Sequence, residues 1–341
     1  MTRPHIDKTK MGKILAVTGL AVLLIIVWCA KNAGTAKTSQ EPNLVDQLLT
    51  TQQKQAEPYA GVINLLVVGY DETAEDAQDA AARTDMILYM QWDCEKDHLE
   101  VLQVPPSLYV GQYSATGRIN AVVQNENGLQ GLCDVISGMT GMPVDGYLAM
   151  DLNGLGDIVE YIGGLEVNIP QEIENGGSHL PKGQYLLDRN SVEFLVRERR
   201  SYADGDIGRQ RVLRNVFAGL LRYAQSCTPV DAAKLVPVIA PYLQTSLDMD
   251  TLLCLAASAE KLTPENVIFS TPSAYSGMAE QASVIFWDPK IIAPLLRVRF
   301  GYDCDPEDLN LPDFDAESRD GESAVKYLEG SSQKLSETAE N

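Results

Sequence analysis

The sequence predicts an α/β domain, one sheet with helices on both faces, held behind a single N-terminal membrane helix. Three observations carry this. VINLLVVG (62–69) is a continuous apolar, β-branched run ending at Gly, the mark of a strand buried on both faces. Further strand-like runs alternate with segments of helical period, which implies a sheet covered on both sides. Residues 14–30 (ILAVTGLAVLLIIVWCA) carry no charge at all.

The uncharged run comes first along the chain. As a helix it spans roughly 25 Å, a little short of the ~30 Å hydrocarbon core. Lys13 and Lys31 flank it and can snorkel to the interfaces. Arg3, Lys8, Lys10 and Lys13 precede it, so the positive-inside rule leaves residues 1–13 in the cytoplasm and exports the rest. No A-x-A cleavage site follows, and Trp28 before Cys29 does not suit a lipoprotein signal, so the run reads as an uncleaved anchor of a single-pass plasma-membrane protein.

Residues 31–58 are polar and Gln-rich and read as a stalk. The folded part is expected over 59–302. After 62–69, the segments MILYMQWD (86–93), HLEVLQVP (98–105), GYLAMDL (146–152) and LEVNIP (165–170) read as strands. Helical period is found over 129–139, 155–162, 209 to about 224, and 250–261. From 303 to 341 the chain is acidic and punctuated by Ser, Gly and Pro, and reads as a solvated, disordered tail.

Of 341 residues, 45% are hydrophobic and 22% charged, which are globular values. The net charge of −20 argues against a nucleic-acid partner, because that affinity rests on Lys and Arg neutralising phosphates. Five cysteines outside the anchor are scattered without a CxxC, so zinc and redox motifs are unsupported and buried free thiols are the simpler account. With His5 in the N-terminal tail and only His98 and His179 elsewhere, no Ser-His-Asp set is credible, and no Gly-rich phosphate loop occurs.

Against this acidic background, VRERRSYADGDIGRQRVLR (196–214) concentrates six of the 14 arginines. Leu213, Val216, Phe217, Leu220 and Leu221 form the apolar face of the helix that follows. Arg209 lies one turn before Leu213 and points inward, while Arg211 and Arg214 fall on the more polar side and read as solvated. In extended chain Arg197 and Arg199 project to one face and Arg200 to the other. Arg197, Arg199 and Arg209 can therefore converge near a helix N-terminus, a site suited to phosphate or pyrophosphate. Asp204 and Asp206 would cap that helix or hold the arginines.

Ligands of such sheets sit at the carboxyl ends of strands. That points to Asp71, just past the first strand, and to Arg83 and Asp85 before the next, whose i, i+2 spacing aims both side chains one way. Two carboxylates converging there suit Mg²⁺, which takes one or two carboxylates plus phosphate oxygens. An ordinary acidic loop is the alternative. Arg118, in GRINAVV, is one more cation, following a Gly and entering a helical stretch.

Taken together, NLLVVGYD, RTDMILYMQWD, LEVLQVPPSLYV, GRINAVV, GYLAMDLNGLGDIVEYIGGLEVNIP and VRERRSYADGDIGRQRVLRNV resemble, in this order, the motifs of the LytR–CpsA–Psr family of envelope proteins. The resemblance implies a three-layer α/β/α sandwich on a mixed β-sheet over roughly 60–300. It implies an extracytoplasmic enzyme that uses Mg²⁺ (or Mn²⁺) to transfer a polyprenyl-pyrophosphate-linked glycan, such as teichoic acid or capsule, onto peptidoglycan as a phosphodiester. Matched by motif, Asp71 and Asp85 would hold the metal. Arg83, Arg118, Arg197, Arg199 and Arg209 would surround the pyrophosphate, and Asp206 would position its neighbours and assist proton removal, with Arg83 acting beside it in catalysis.

The chain also departs from that pattern. Where the family has Pro-Arg-Asp after the third strand, this chain has Pro105, Pro106 and Ser107, so an arginine is missing at Pro106. Leu213 stands where a Gln is common. Losing a charge-assisted phosphate contact weakens transition-state binding unless another cation substitutes. A non-catalytic binder of the lipid-linked polymer and a pyrophosphatase using water are the alternatives. A transcription regulator is disfavoured by the 13-residue cytosolic segment and the acidic exported part.

Overall fold

A computed structural model describes residues 57–71, 83–226, 235, 238, 240–259, 261–279, 282–313 and 325–340. Among these no helix is long and apolar enough to cross a membrane. The expected anchor at 14–30, the tail before it and nearly all of the stalk lie outside the described residues.

The centre is a seven-stranded mixed sheet built on β1 (Val62–Asp71), β2 (Arg83–Asp93) and β3 (His98–Val104). The alternation predicted by the pleat is seen residue by residue. Ile63, Leu65, Leu88, Met90 and Trp92 enter one core, while Leu66, Val68, Ile87 and Tyr89 enter the other. Continuous apolar runs are what a strand needs when both of its faces are covered. On the second face pack α1 (Gly128–Thr140) and, near the end of the domain, a helix carrying Ile292, Leu296 and Phe300.

Next in chain order come β4 (Gly146–Asp151), parallel to β1, and α2 (Leu152–Tyr161). The run at 165–170 does form a strand, β5 (Leu165–Ile169), but outside the main sheet. It pairs with β8 (Gly183–Leu187) in a two-stranded sheet, beside a small hairpin of β6 (Ile173–Asn175) and β7 (Ser178–Leu180). These pieces enclose a third core with α2, α3 (Arg189–Arg197) and α4 (Asp206–Ser226). Leu213 and Val216 sit in that core and Phe217 packs edge-on against Phe269 with centroids 5.2 Å apart, so the apolar stripe of α4 is filled interior.

The remaining elements are β9 (Leu243–Thr245), α5 (Met249–Ala259), β10 (Val267–Thr271), β11 (Ala274–Ala279), β12 (Ala282–Phe286) and α6 (Pro289–Phe300). The expected solvated tail from 303 is corrected near its start, where Cys304 and Leu309 are buried in the second core, and at its far end. There β13 (Lys326–Leu328) and β14 (Ser331–Lys334) lead into a short helix, α7 (Leu335–Glu340). The main sheet has the order β14-β10-β3-β2-β1-β4-β9, so the C-terminal strand forms its edge. β13 pairs with β11 in a second, three-stranded sheet. Leu328 and Leu335 are buried in the two cores flanking the main sheet, and that burial anchors a segment whose composition is polar.

Among the described cysteines, Cys94, Cys133, Cys254 and Cys304 are free thiols. Burial pushes the Cys94 thiol up to about 11 and the Cys133 thiol to about 12.

Candidate functional site

The site begins with a break in the β1–β2 ladder. Gly69 pairs with Met86 and Tyr70 with Thr84, so Asp85 is the extra residue of a β-bulge. A bulge twists the strand and re-aims the side chain it carries. The simple alternation expected for Arg83 and Asp85 is therefore interrupted here, and the Asp85 carboxylate meets the start of α4. The same register sets Arg83 opposite Asp71 at the strand ends.

Arg199 Nη2 and Arg209 Nη1 both reach Asp85 Oδ1, the second at 3.0 Å. Asp206, the first residue of α4, takes the other edge of each guanidinium. Its Oδ1 lies 3.3 Å from Arg199 Nε and 3.2 Å from Arg209 Nη2. Its Oδ2 accepts a hydrogen bond from the Ser107 hydroxyl at 2.5 Å. Two carboxylates and two guanidiniums thus alternate in one cluster, anchored to the turn after β3.

The local folding explains the placement. Asp188 caps α3 by accepting from Ser191 N at 2.8 Å, and the Ser191 hydroxyl accepts from Asp188 N, a capping box. α3 ends at Arg197, and Glu198 turns the chain out at φ −66° and ψ 133°. Arg197 is thus helical, not extended as its sequence suggested, and its Nη1 lies 3.5 Å from Glu193 Oε2 one turn back. Arg199 falls beyond the cap and reaches Asp85.

A cleft of about 320 Å³ opens beside the cluster, lined among others by Ser107, Arg118, Arg199, Asp206 and Lys326. Arg118 is held through Nε and Nη2 on the Ser283 carbonyl at 3.1 and 2.7 Å. Arg199 is 40% exposed and forms the wall of the cleft, whereas Arg209 is fully buried beneath it. Arg209, expected with Arg199 around the ligand, has its guanidinium between Asp85 and Asp206, and Arg199 is the exposed member of the pair. Arg214 departs further from expectation. It is 1% exposed, and its Nε donates to Gln103 Oε1 at 2.6 Å between α4 and β3.

Burial alone would raise the Asp85 pKa, but the charges of Arg209 and then Arg199 outweigh it and hold the carboxyl below its ordinary value. Burial lowers the Arg209 pKa; the Asp206 carboxylate opposes this and Arg199 adds to it. Among the described residues Arg209 Nε and Nη2 and Asp206 Oδ1 have no partner of hydrogen-bond geometry, so Arg209 Nη2 and Asp206 Oδ1 meet as an ion pair only.

Ser107 and Lys326 are among the lining residues that the sequence does not mark as site residues. Ser107 carried one signal, its position at the carboxyl end of a strand. Lys326 sits in a stretch whose acidic composition masked it. Of the expected set, the structure joins Asp85, Arg199, Arg209 and Asp206, and brings Arg118 to the same cleft. It relates Asp71 and Arg83 to that set through backbone register alone.

The sequence model of the LytR_cpsA_psr family matches residues 27–293. The chain belongs to the LytR_cpsA_psr family. Within that family, a polyisoprenyl-teichoic acid–peptidoglycan teichoic acid transferase TagU of Oceanobacillus iheyensis is 24% identical over 200 residues, which cover 57% of this chain and 61% of the relative. The chain thus spans somewhat under two thirds of that relative's length. Among solved structures, Bacillus subtilis TagV matches with a TM-score of 0.57 at 17% identity, covering 72% of this chain and all of that one. A structure of TagT bound to LIIa-WTA matches with a TM-score of 0.55 at 16% identity, covering 71% of this chain and 92% of that one. The mixed α/β fold of the LytR_cpsA_psr proteins is therefore the fold of this chain. The bulge and the cluster lie on residues that the LytR_cpsA_psr model spans, as does the cleft lining apart from Lys326 and Leu328.

Proposed function

We propose that the chain transfers a polyprenyl-pyrophosphate-linked glycopolymer, of the teichoic-acid type, onto peptidoglycan as a phosphodiester. The observation that carries the reading is the Asp85–Arg199–Arg209–Asp206 cluster opening into a cleft that Arg118 also lines. Guanidinium forks match phosphate oxygens in pairs, and cations fixed beforehand by carboxylates need no reorganisation as charge develops. The names of the relatives supply the polymer and the acceptor.

In this reading Arg199 and Arg118 bind and orient the pyrophosphate. A hydroxyl of the acceptor attacks the sugar-side phosphorus. A new P–O bond forms as the bond to the bridging oxygen breaks, and polyprenyl phosphate leaves with the electron pair. Asp206 Oδ2, held by Ser107, receives the hydroxyl proton. Positioning and electrostatics supply most of the rate, as in other phosphoryl transfers.

Mg²⁺ (or Mn²⁺) fits this donor set. Both arginines bind Asp85 through Oδ1, which leaves Oδ2 for a cation, and Mg²⁺ needs few protein ligands when phosphates supply the rest. Asp71 is the second ligand in this proposal. Bound there, the ion adds positive charge against the pyrophosphate oxygens. The uncharged run at 14–30 anchors the chain in the plasma membrane and keeps the domain at its outer surface, where the lipid-linked polymer is presented.

The test is release of polyprenyl phosphate by the full chain with Mg²⁺, a pyrophosphate-linked glycan and peptidoglycan fragments. Wild type is compared with Arg199→Ala and Asp85→Ala. Loss of release in both, with glycan on the acceptor in wild type only, supports the transferase. Phosphate release without acceptor would mark a pyrophosphatase. Tight polymer binding with no release by wild type would mark a binder whose chemistry was lost with the cation missing at Pro106.

A further inference from the structure

The C-terminal segment brings a cation to the cleft from beyond the residues 27–293 that the family model spans. Its course is well fixed. β13 runs antiparallel to β11, with Lys326 opposite Ser276, Tyr327 opposite Tyr275 and Leu328 opposite Ala274. Three residues later β14 runs antiparallel to β10. Gly330 makes the crossing between the two sheets. Its N–H donates to Ser273 Oγ at 2.8 Å, and a Cβ there would lie 2.2 Å from the Thr271 carbonyl oxygen, so no larger residue fits without displacing the backbone. Tyr327 stacks edge-on against Tyr275 at 5.4 Å. Lys326 is thus the first residue of a strap held at several points after it.

At that position the Lys326 ammonium donates to the Ala203 carbonyl at 3.3 Å, on the loop that leads into α4. One of its three N–H groups is used there, and an ammonium can serve two further acceptors. Lys on an edge strand commonly serves only to block pairing with another chain. Here the side chain instead forms part of the cleft wall that Arg118 and Arg199 share. Each of the three cations comes from a different part of the chain, and each is held by a carbonyl or carboxylate of its own.

We infer that Lys326 is a phosphate-binding residue of this cleft, an ammonium that contacts the oxygens of the bound pyrophosphate. This rests on the pyrophosphate reading of the site and adds to it. The C-terminal strand thus adds a third cation to the two, Arg118 and Arg199, that line this cleft.

Calorimetric titration of the full chain with inorganic pyrophosphate tests this, with thermal melting to show that each variant is folded. Lys326→Ala is expected to weaken binding about tenfold, the lower range for an exposed charge-assisted contact, and Lys326→Arg to stay within about threefold of wild type. Lys326→Met, which keeps the stem, serves if the alanine variant melts early. Lys334→Ala, whose ammonium instead faces Glu265 at 3.3 Å, is expected to bind as wild type. Arg199→Ala reports on the underlying reading. If it weakens binding while Lys326→Ala and Lys326→Met match wild type, Lys326 is no ligand and the inference is wrong though the site stands. If wild type binds no pyrophosphate, both readings fall together.

Discussion

The Ser107 hydroxyl donates to Asp206 Oδ2 at 2.5 Å, tying the turn after β3 to the first turn of α4. The bond leaves Asp206 Oδ1 to the two arginines, so one serine orients a carboxylate that in turn orients Arg199 and Arg209. A charge-assisted bond of this kind is worth about 1.5–3 kcal/mol. Ser107→Ala should therefore slow polymer transfer about tenfold or more, with a modest fall in melting temperature. Ser107→Asp should be worse, because it sets a like charge against Asp206. Equal transfer rates for wild type and both variants would show the link to be idle.

Arg199 offers a cleaner separation of function from stability. At 40% exposure its ion pairs are partly screened and add little to folding. Its fork nevertheless spans Asp85 through Nη2 and Asp206 through Nε, which an ammonium cannot copy. Arg199→Lys is expected to lower transfer on the order of a hundredfold while shifting the melting midpoint by no more than about 2 °C. A large loss of stability with transfer intact would reverse the assignment.

Much of this was legible in the sequence, and the failures share a cause. β1 and β2 announced themselves through continuous apolar runs, because a strand covered on both faces has no alternative composition. The bulge at Asp85 was not legible: register belongs to two strands at once, and neither β1 nor β2 alone shows that a residue is skipped. The solvated position expected for Arg214 fails for a similar reason. Its position on the polar side of α4 predicts solvent, but β14, more than a hundred residues later, covers it. β14 itself, SSQK, has no hydrophobic period, because an edge strand takes its hold from β10 and from Leu335 beyond it. The spacing of Arg209 from Leu213 puts it on the inward side of α4, but how far inward it lies depends on Asp85 arriving from another strand.

The depressed pKa of Asp85 gives a pH dependence with a definite sign. A carboxyl whose folded pKa lies below its unfolded value, near 4, stabilises the fold fully above that value. The contribution is lost as pH falls through the lower, folded pKa. Urea denaturation of wild type and Asp85→Asn should thus differ by a constant amount from about pH 8 to pH 5, roughly 3–5 kcal/mol for one partner removed from a buried pair. Below about pH 4 the difference should shrink. A gap that widened on acidification would contradict the assignment of Arg209 and Arg199 as the dominant influence.

Arg214 should behave in the opposite way to Arg199. Besides its bond to Gln103, its Nη2 donates to Thr271 Oγ1 and, at 3.1 Å, to Ser331 Oγ, so one side chain links α4, β3, β10 and β14. Burial, and then the charge of Arg211, pushes its pKa down to about 10, which still leaves it a cation at neutral pH. Arg214→Ala leaves a cavity and unpaired buried oxygens, and should cost roughly 3–5 kcal/mol in chemical denaturation. Arg214→Met should cost less than half of that, since the stem is kept and Thr271 Oγ1 already donates to Gln103 Oε1 at 2.9 Å. Pyrophosphate affinity of the folded protein should be unchanged in both.

The C-terminal strap provides the last expectation, because it carries stability and solubility together. Ending the chain at residue 324 removes Leu328 and Leu335 from the two main cores, a loss of roughly 3–6 kcal/mol at about 1.5–3 kcal/mol for each buried leucine. It also strips β14 from β10, whose sequence VIFST then becomes an open, uncharged edge. Such an edge templates pairing with another chain. The truncated protein should therefore melt earlier and self-associate in a concentration-dependent manner by light scattering, and a charge placed on β10, as in Ile268→Lys, should reduce the association without restoring the melting temperature. A truncated chain that stayed monodisperse at the wild-type melting point would mean that β14 merely lies along the sheet and that β10 is protected by other means.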